Sequence, residues 1–159
     1  MQRRFNKIFT YREVNFYDDY AHHPTEIKEV LNGVREAYKD HEIVCIFQPH
    51  RISRLRDLKK EFCLSFKKAD TVILCPIYAA GEKMKLGFSY NLFAKEIIKH
   101  SKVKLFLVKD QYQIAKLIKS NIYGKKIVIG MGAGTISSWM KDLPCLLYTS
   151  PSPRDGLLS

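Results

Sequence analysis

The order of apolar and amphipathic segments limits the fold of this chain more than any other feature. Five short apolar runs, each suited to one β-strand, alternate with five segments whose apolar residues recur at helical spacing. The predicted strands cover residues 12–17, 42–47, 71–76, 104–108 and 126–130, and the predicted helices cover residues 24–38, 54–66, 90–100, 111–119 and 135–141. Strands that alternate with helices form a mostly parallel sheet with helices on both faces. We therefore predict a three-layer, Rossmann-like α/β domain with five to six strands.

Titratable side chains are concentrated after the first predicted strand, where residues 18–26 read Asp-Asp-Tyr-Ala-His-His-Pro-Thr-Glu. In open α/β sheets, ligands bind at the carboxyl ends of the strands, where this segment falls. Helix capping is the alternative explanation, and it would account for one aspartate and for Pro24 at the start of the helix. It does not account for Tyr20, His22 and His23. We therefore predict that this segment contributes to a functional site.

A second candidate cluster follows the next predicted strand, where residues 48–54 read Gln-Pro-His-Arg-Ile-Ser-Arg. Arg51 and Arg54 are three residues apart and would point to the same side of a helix that begins near Arg51. Paired guanidinium groups suit carboxylate or phosphate, and a helix N-terminus favours the same anions. A solvated basic helix face is the alternative. Because both clusters follow strands of one predicted parallel sheet, we expect His22 to lie near the two arginines.

These motifs resemble the C-terminal domain of the Mur ligases. In the order expected for that family, the chain has Arg-Arg-Phe at 3–5, the segment at 18–26, Phe-Gln-Pro-His-Arg at 47–51 and Tyr-Ala-Ala-Gly-Glu at 78–82. The resemblance extends over about residues 2–143. Within the family, the segment at 48–51 favours the members that join L-alanine to UDP-N-acetylmuramate. The members that recycle the murein tripeptide remain the alternative.

The resemblance implies an ATP-dependent acid–amino-acid ligase of peptidoglycan precursor synthesis. ATP phosphorylates the muramoyl carboxylate in such enzymes, and the amine of the amino acid then attacks the acyl phosphate. The C-terminal domain brings the amino acid and completes the ATP site by closing over a central ATPase domain. By the same resemblance, Asp19 would hydrogen-bond the ATP ribose and Tyr20 would lie by the nucleotide.

The remaining candidate residues would serve the amino acid. The resemblance implies that His22 faces the amino-acid site, and that Arg51 and Arg54 bind the alanine carboxylate or the developing negative charge. A ligand held in this way reacts in a positioned step rather than a bimolecular one. His23 would orient its neighbours through its second ring nitrogen. Glu82 is a further candidate for ligand contact.

The chain has no Gly-x-x-x-x-Gly-Lys-Ser/Thr motif to hold nucleotide phosphates. The glycine-rich segment at residues 130–135 is interpreted as a tight strand-to-helix turn, since no acidic ribose partner follows it. We therefore expect a fragment that is inactive alone, with ATP and Mg²⁺ held mainly by the central domain. We expect residues 1–145 to form the domain and the Ser/Pro-rich residues 146–159 to be a disordered, non-native tail.

Composition leaves one more alternative open. The 159 residues include 27 Lys and Arg against 16 Asp and Glu, for a net charge of +11. A basic Rossmann-like module that binds a nucleotide or nucleic acid would fit this charge. The charges are spread along the chain without a recognisable nucleic-acid module, so we expect neither nucleic-acid nor membrane binding. The four cysteines lack metal-site spacing and predict free thiols in a reducing cytoplasm.

Overall fold

The computed structural model describes residues 4–81 and 89–148. Its strands are β1 (Asn6–Tyr11), β2 (Val14–Asp19), β3 (Glu42–Phe47), β4 (Thr71–Leu74), β5 (Lys104–Leu107) and β6 (Lys126–Met131). Its helices are α1 (Pro24–Ala37), α2 (Ile52–Asp57), α3 (Lys59–Leu64), α4 (Tyr90–Ser101), α5 (Gln111–Asn121) and α6 (Ile136–Tyr148). No helix within these residues is long and apolar enough to cross a bilayer.

The six strands form one sheet in the order β1-β2-β6-β3-β4-β5. Four of the five strand pairs are parallel, and only β1 runs antiparallel to its neighbour, β2. Helical crossovers join the parallel strands, as parallel pairing requires. The predicted α/β class with a mostly parallel sheet is confirmed.

The core consists of two apolar layers, one on each face of the sheet. Successive residues of β3 alternate between the layers: Cys45 and Phe47 pack in one, whereas Val44 and Ile46 pack in the other. Because both faces of the inner strands are covered, β3 and β6 have almost no exposed residue. This explains why those strands are continuous apolar runs rather than alternating ones.

The first predicted strand is wrong at its N-terminal end. Residues 12 and 13 form the turn of a β1–β2 hairpin, with φ of 52° at Arg12 and 67° at Glu13. Hairpin turns with two positive φ angles normally contain Asn or Gly, and this turn has neither. The missing turn signal explains why β1 was not predicted.

Two predicted helices also need correction. The predicted helix at 54–66 is two short helices, α2 and α3, which meet at Leu58. The predicted helix at 135–141 continues past Pro144 to Tyr148, because Leu143 and Leu147 are buried in the core.

The predicted domain boundary at residue 145 falls inside α6. The Tyr148 hydroxyl donates a hydrogen bond to the carbonyl of Thr10 over 2.7 Å, and its ring meets the edge of Tyr11. Residues 146–148 therefore belong to the folded domain rather than to a tail. The other residues of the predicted tail, 149–159, lie outside the described residues.

Arg35 in α1 ties together the edge of the sheet at which the parallel strands begin. Its guanidinium donates to the carbonyls of His41 and Lys68 over 2.9 and 3.0 Å and pairs with the Asp70 carboxylate over 2.7 Å. Asp70 in turn accepts the backbone amide of Ile43 in β3. This group of bonds joins α1, β3 and β4 at the edge opposite to the candidate site.

Candidate functional site

The two predicted clusters meet at the carboxyl edge of the sheet. β2 and β3 are not neighbours, but both pair with β6, and Asp19 and Phe47 lie on either side of Met131. The loops that follow β2 and β3 therefore leave the sheet side by side. The ring centroids of His22 and His50, one from each loop, are 5.6 Å apart.

Asp19 holds the loop that carries Tyr20 and His22. Its side chain is buried, with 3% of its surface exposed, and it accepts one backbone hydrogen bond on each oxygen. The amide of Ala21 donates to Oδ1 and the amide of Phe5 donates to Oδ2, both over 2.8 Å. Asp19 thus fixes the end of β2 to the segment that precedes β1. Its predicted bond to the ATP ribose remains a prediction.

His23 and Glu26 cap the N-terminus of α1. His23 Nδ1 accepts the amide of Thr25 over 3.3 Å, and Glu26 Oε1 accepts the amides of His22 and His23, each over 3.2 Å. This is a capping box in which an imidazole takes the place of the usual hydroxyl. The expectation that capping does not account for His23 is therefore wrong, whereas the side chains of Tyr20 and His22 stay unexplained by it.

Glu26 remains ionised at this position. Burial raises the pKa of its carboxyl, but the hydrogen bonds from the backbone of His22 and His23 outweigh burial and lower the pKa below its usual value. Charge interactions with the two imidazoles act in the same direction. The site therefore has a fixed negative charge at the start of α1.

Four rings form a row across the site. The His22 ring meets Tyr20 at 5.1 Å and His50 at 5.6 Å, and His50 stacks on Tyr78 at 5.5 Å. A parallel β-bridge between His50 and Tyr78 supports this end of the row. The row brings together the loops after β2, β3 and β4, and it gives the site one continuous wall.

Arg51 adjoins this wall but does not belong to α2. Its φ is 73°, its amide donates to the carbonyl of Tyr78 over 2.8 Å, and the helix begins only at Ile52. Positive φ is uncommon for a residue with a Cβ atom and indicates a conformation imposed by its surroundings. A helix begins near Arg51, as the prediction required, but Arg51 is its N-cap, so helical spacing alone does not align its side chain with that of Arg54. Arg51 is exposed at the edge, and Arg54 is half-buried in α2.

Gln48 connects the wall to the glycine-rich turn between β6 and α6. The side chain is 3% exposed, accepts the amide of Ile136 over 3.0 Å and donates to the Thr135 hydroxyl over 2.8 Å. A Cβ atom on Gly134 would lie 2.5 Å from Cγ of Tyr78, so this turn needs glycine for close packing. The predicted strand-to-helix turn is observed, and it supports the loops that carry His50 and Tyr78.

Sequence reasoning assigned no role to Gln48, Glu26 or His50. The spacing of His23 and Glu26, three residues apart, matches a capping box and could have identified Glu26. Nothing in the sequence indicates the two bonds of Gln48, because its partners lie 87 and 88 residues away. Glu82 lies outside the described residues.

A small pocket of about 180 Å³ opens beside Tyr20. Its lining includes Asp19, Glu26, Glu29 and Arg4. Carboxylate oxygens accept hydrogen bonds from sugar hydroxyls, so these residues fit a ribose, although the pocket is smaller than a whole-nucleotide site of about 300 Å³ or more. Within residues 4–81 and 89–148, no group of three His, Cys, Asp or Glu side chains is placed to hold a metal ion.

The fold and the site together define an α/β domain with a candidate ligand site at the carboxyl edge of its sheet. The family model described as "Mur ligase, glutamate ligase domain" matches residues 3–134. The chain therefore belongs to the Mur ligase family, as its C-terminal domain.

Among curated relatives, the UDP-N-acetylmuramate–L-alanine ligase of Pelagibacter ubique is 78% identical over 147 residues, which are 92% of this chain and 32% of that protein. The chain thus spans about a third of the length of the curated relatives it matches.

Two solved structures extend the comparison. The UDP-N-acetylmuramate–alanine ligase of Thermotoga maritima is 26% identical with a TM-score of 0.67, over 90% of this chain and 29% of that one. A murein peptide ligase from Psychrobacter arcticus has a TM-score of 0.73 over 93% of this chain and 30% of that one. Its identity of 19% shows a common fold only.

Proposed function

We propose that this chain acts as the C-terminal domain of a UDP-N-acetylmuramate–L-alanine ligase, in the cytoplasmic synthesis of peptidoglycan precursors. The observation that carries the proposal is the 78% identity, over 92% of the chain, to a relative with that name. The whole reaction needs UDP-N-acetylmuramate, L-alanine, ATP with Mg²⁺, and an N-terminal and a central domain. Both nucleotide and metal would be held mainly by the central domain.

The residues at the carboxyl edge can perform the steps assigned to this domain. ATP, when bound, supplies the phosphoryl group that activates the muramoyl carboxylate. Arg51 and Arg54 would bind the carboxylate of L-alanine, because guanidinium groups pair with carboxylates through two parallel hydrogen bonds. His22 and His50 would then lie beside the amino group, and Tyr20 beside the nucleotide. Holding the amino acid in this way makes the attack on the acyl phosphate a positioned step.

A chimeric enzyme tests the proposal directly. In the Pelagibacter ubique ligase, residues 4–148 of this chain would replace the corresponding part of the C-terminal domain. We expect the chimera to release phosphate only when UDP-N-acetylmuramate, ATP and L-alanine are all present. Glycine and L-serine measure amino-acid preference. Phosphate release with the murein tripeptide in place of L-alanine would instead favour a recycling ligase.

The role of Arg51 has its own test in the same chimera. Arg51→Ala should raise the KM for L-alanine at least tenfold while changing the KM for ATP less than threefold, because the lost guanidinium contacts only the amino acid. Arg56→Ala, an exposed arginine of α2, is the matched control and should leave both constants unchanged. An Arg51→Ala variant with an unchanged demand for L-alanine would contradict the assignment.

A further inference from the structure

The hydrogen bonds of His22 determine which of its ring nitrogens carries a proton. Nδ1 lies 3.0 Å from the carbonyl oxygen of Tyr20 and 3.7 Å from Oε1 of Glu26. Both oxygens can only accept, so Nδ1 is the donor in the neutral as well as in the charged ring. The neutral ring then has its lone pair on Nε2. Within the described part of the chain, no hydrogen bond occupies Nε2.

The position of His22 suits a group that exchanges protons with a ligand. Its side chain is 17% exposed, so the ring is held by its surroundings yet open on one side. Among residues 4–81 and 89–148, three titratable groups face it: Tyr20 from its own loop, Glu26 from α1 and His50 from the loop after β3. Glu26 is the only one of the three that is negatively charged at neutral pH, and it lies on the Nδ1 side.

Glu26 does not move freely around His22. The amides of His22 and His23 both donate to the oxygen that faces Nδ1, which fixes the carboxylate relative to the ring. A carboxylate placed in this way stabilises the imidazolium form through charge attraction. The Glu26 carboxylate and the Tyr20 carbonyl thus lie on the Nδ1 side of the His22 ring, and Nε2 is available to a ligand. It is the arrangement expected of a histidine that accepts protons.

We propose that Nε2 of His22 accepts the proton that the amino group of the incoming amino acid must lose, and that Glu26 acts as its positioning residue. This role rests on the proposed function. The amino acid enters as an ammonium ion, and its nitrogen must present a lone pair to the acyl carbon. Transfer of one proton to Nε2 gives a neutral amine and an imidazolium.

The remaining steps balance without another reactant. The amine forms the N–C bond, the C–O bond to phosphate breaks as the tetrahedral adduct collapses, and the extra proton on the amide nitrogen passes to the departing phosphate. The imidazolium returns its proton to water before the next turnover. Glu26 stays ionised throughout and stabilises the charged ring during the interval.

Replacing L-alanine with hydroxylamine tests the proton transfer separately from formation of the acyl phosphate. It is uncharged at neutral pH and traps acyl phosphates without losing a proton to a base first. In the chimera, His22→Gln should lower kcat for L-alanine about 100-fold, at the lower end of general-base effects. Formation of the hydroxamate from ATP, UDP-N-acetylmuramate and hydroxylamine should fall less than threefold. His100→Gln, an exposed histidine of α4, is the control and should change neither rate.

Glu26→Gln gives a second, independent measurement. The amide oxygen of glutamine can still accept the two backbone hydrogen bonds, so the N-terminus of α1 stays capped while the charge is lost. Because the imidazolium loses the carboxylate that stabilises it, kcat for L-alanine should fall. Hydroxamate formation, which needs no proton acceptor, should fall less than threefold in the same variant.

Each outcome supports or overturns the role of His22. The role is overturned if His22→Gln ligates L-alanine at more than a tenth of the normal rate, or loses hydroxamate formation to the same extent. An unchanged kcat for L-alanine in Glu26→Gln, or an equal fall in hydroxamate formation, overturns the positioning role. A chimera with no substitution that forms hydroxamate but never uses L-alanine would overturn the proposed function itself, and with it this role.

Discussion

Replacing Gln48 with methionine should destabilise the domain by about 2 kcal/mol. Methionine has nearly the same length and volume as glutamine, so the packing around position 48 changes little. What the substitution removes is the pair of hydrogen bonds that fasten the β6–α6 turn. The measured loss should therefore reflect those bonds rather than a cavity.

The two bonds are unequal. The amide of Ile136 is buried and would be left without its acceptor, which costs about 1–3 kcal/mol. Thr135 is exposed, so its hydroxyl can bond water instead and adds little. A loss of about 2 kcal/mol corresponds to a decrease in Tm of about 4–8 °C for a chain of this size.

Urea and thermal unfolding followed by circular dichroism measure this change. Gln113→Met is the matched control, because Oε1 of Gln113 also accepts a backbone amide, that of Lys109 over 2.7 Å, but at an exposed position. Water can replace that bond, so the control should stay within about 0.5 kcal/mol of the unsubstituted chain. Equal losses in the two variants would refute the argument that burial of the Ile136 amide sets the cost.

Two further predictions concern parts of the molecule away from the site. Arg35→Ala should lower the urea midpoint by the equivalent of about 1–2 kcal/mol, because His41, Lys68 and Asp70, which precede β3 and β4, lose a partly exposed charged donor. In the chimera this variant should leave the KM for L-alanine unchanged, and a changed KM would contradict the separation of the two edges. Iodoacetamide at neutral pH should label only Cys145 in the native chain and all four cysteines in denaturant, as counted by mass spectrometry. Burial raises the pKa of the Cys63 thiol to about 11 and that of Cys75 to about 12, and it raises the pKa of Cys45 further. Rapid labelling of any of these three cysteines in the native chain would contradict their burial.

The sequence predicted the inner part of the fold best. β3 and β6 are apolar on both faces, and α1 carries Ile27, Leu31 and Val34 on one buried side, so the periodicity of each segment matches its environment. β1 was not predicted because its hairpin turn consists of Arg12 and Glu13, which have no preference for turns. The end of α6 escaped because burial of Leu147 outweighs the effect of Pro144 on the helix.

The sequence predicted where on the sheet the candidate site lies, but it did not predict which side chains touch there. Parallel strands bring their carboxyl ends to one edge whatever their order, so His22 and the segment after β3 had to lie on the same side of the sheet. His22 was expected near the two arginines, and the contact that the structure shows between the two loops is that of His22 with His50. Local spacing cannot give that detail, since the ring row depends on the loop after β4 and on the distant turn that Gln48 holds.

The carboxylate of Asp19 links the segment before β1 to the loop after β2, so that the two segments move together. Phe5 donates to one oxygen and Ala21 to the other, and the Phe5 ring stacks on Tyr17 with centroids 4.0 Å apart. A displacement of the backbone at Phe5 would therefore reach Ala21 through the Asp19 carboxylate. Tyr20 and His22 are the two neighbours of Ala21 in the chain. A rotation of this domain about the segment before β1 would therefore move the His22 imidazole together with that segment.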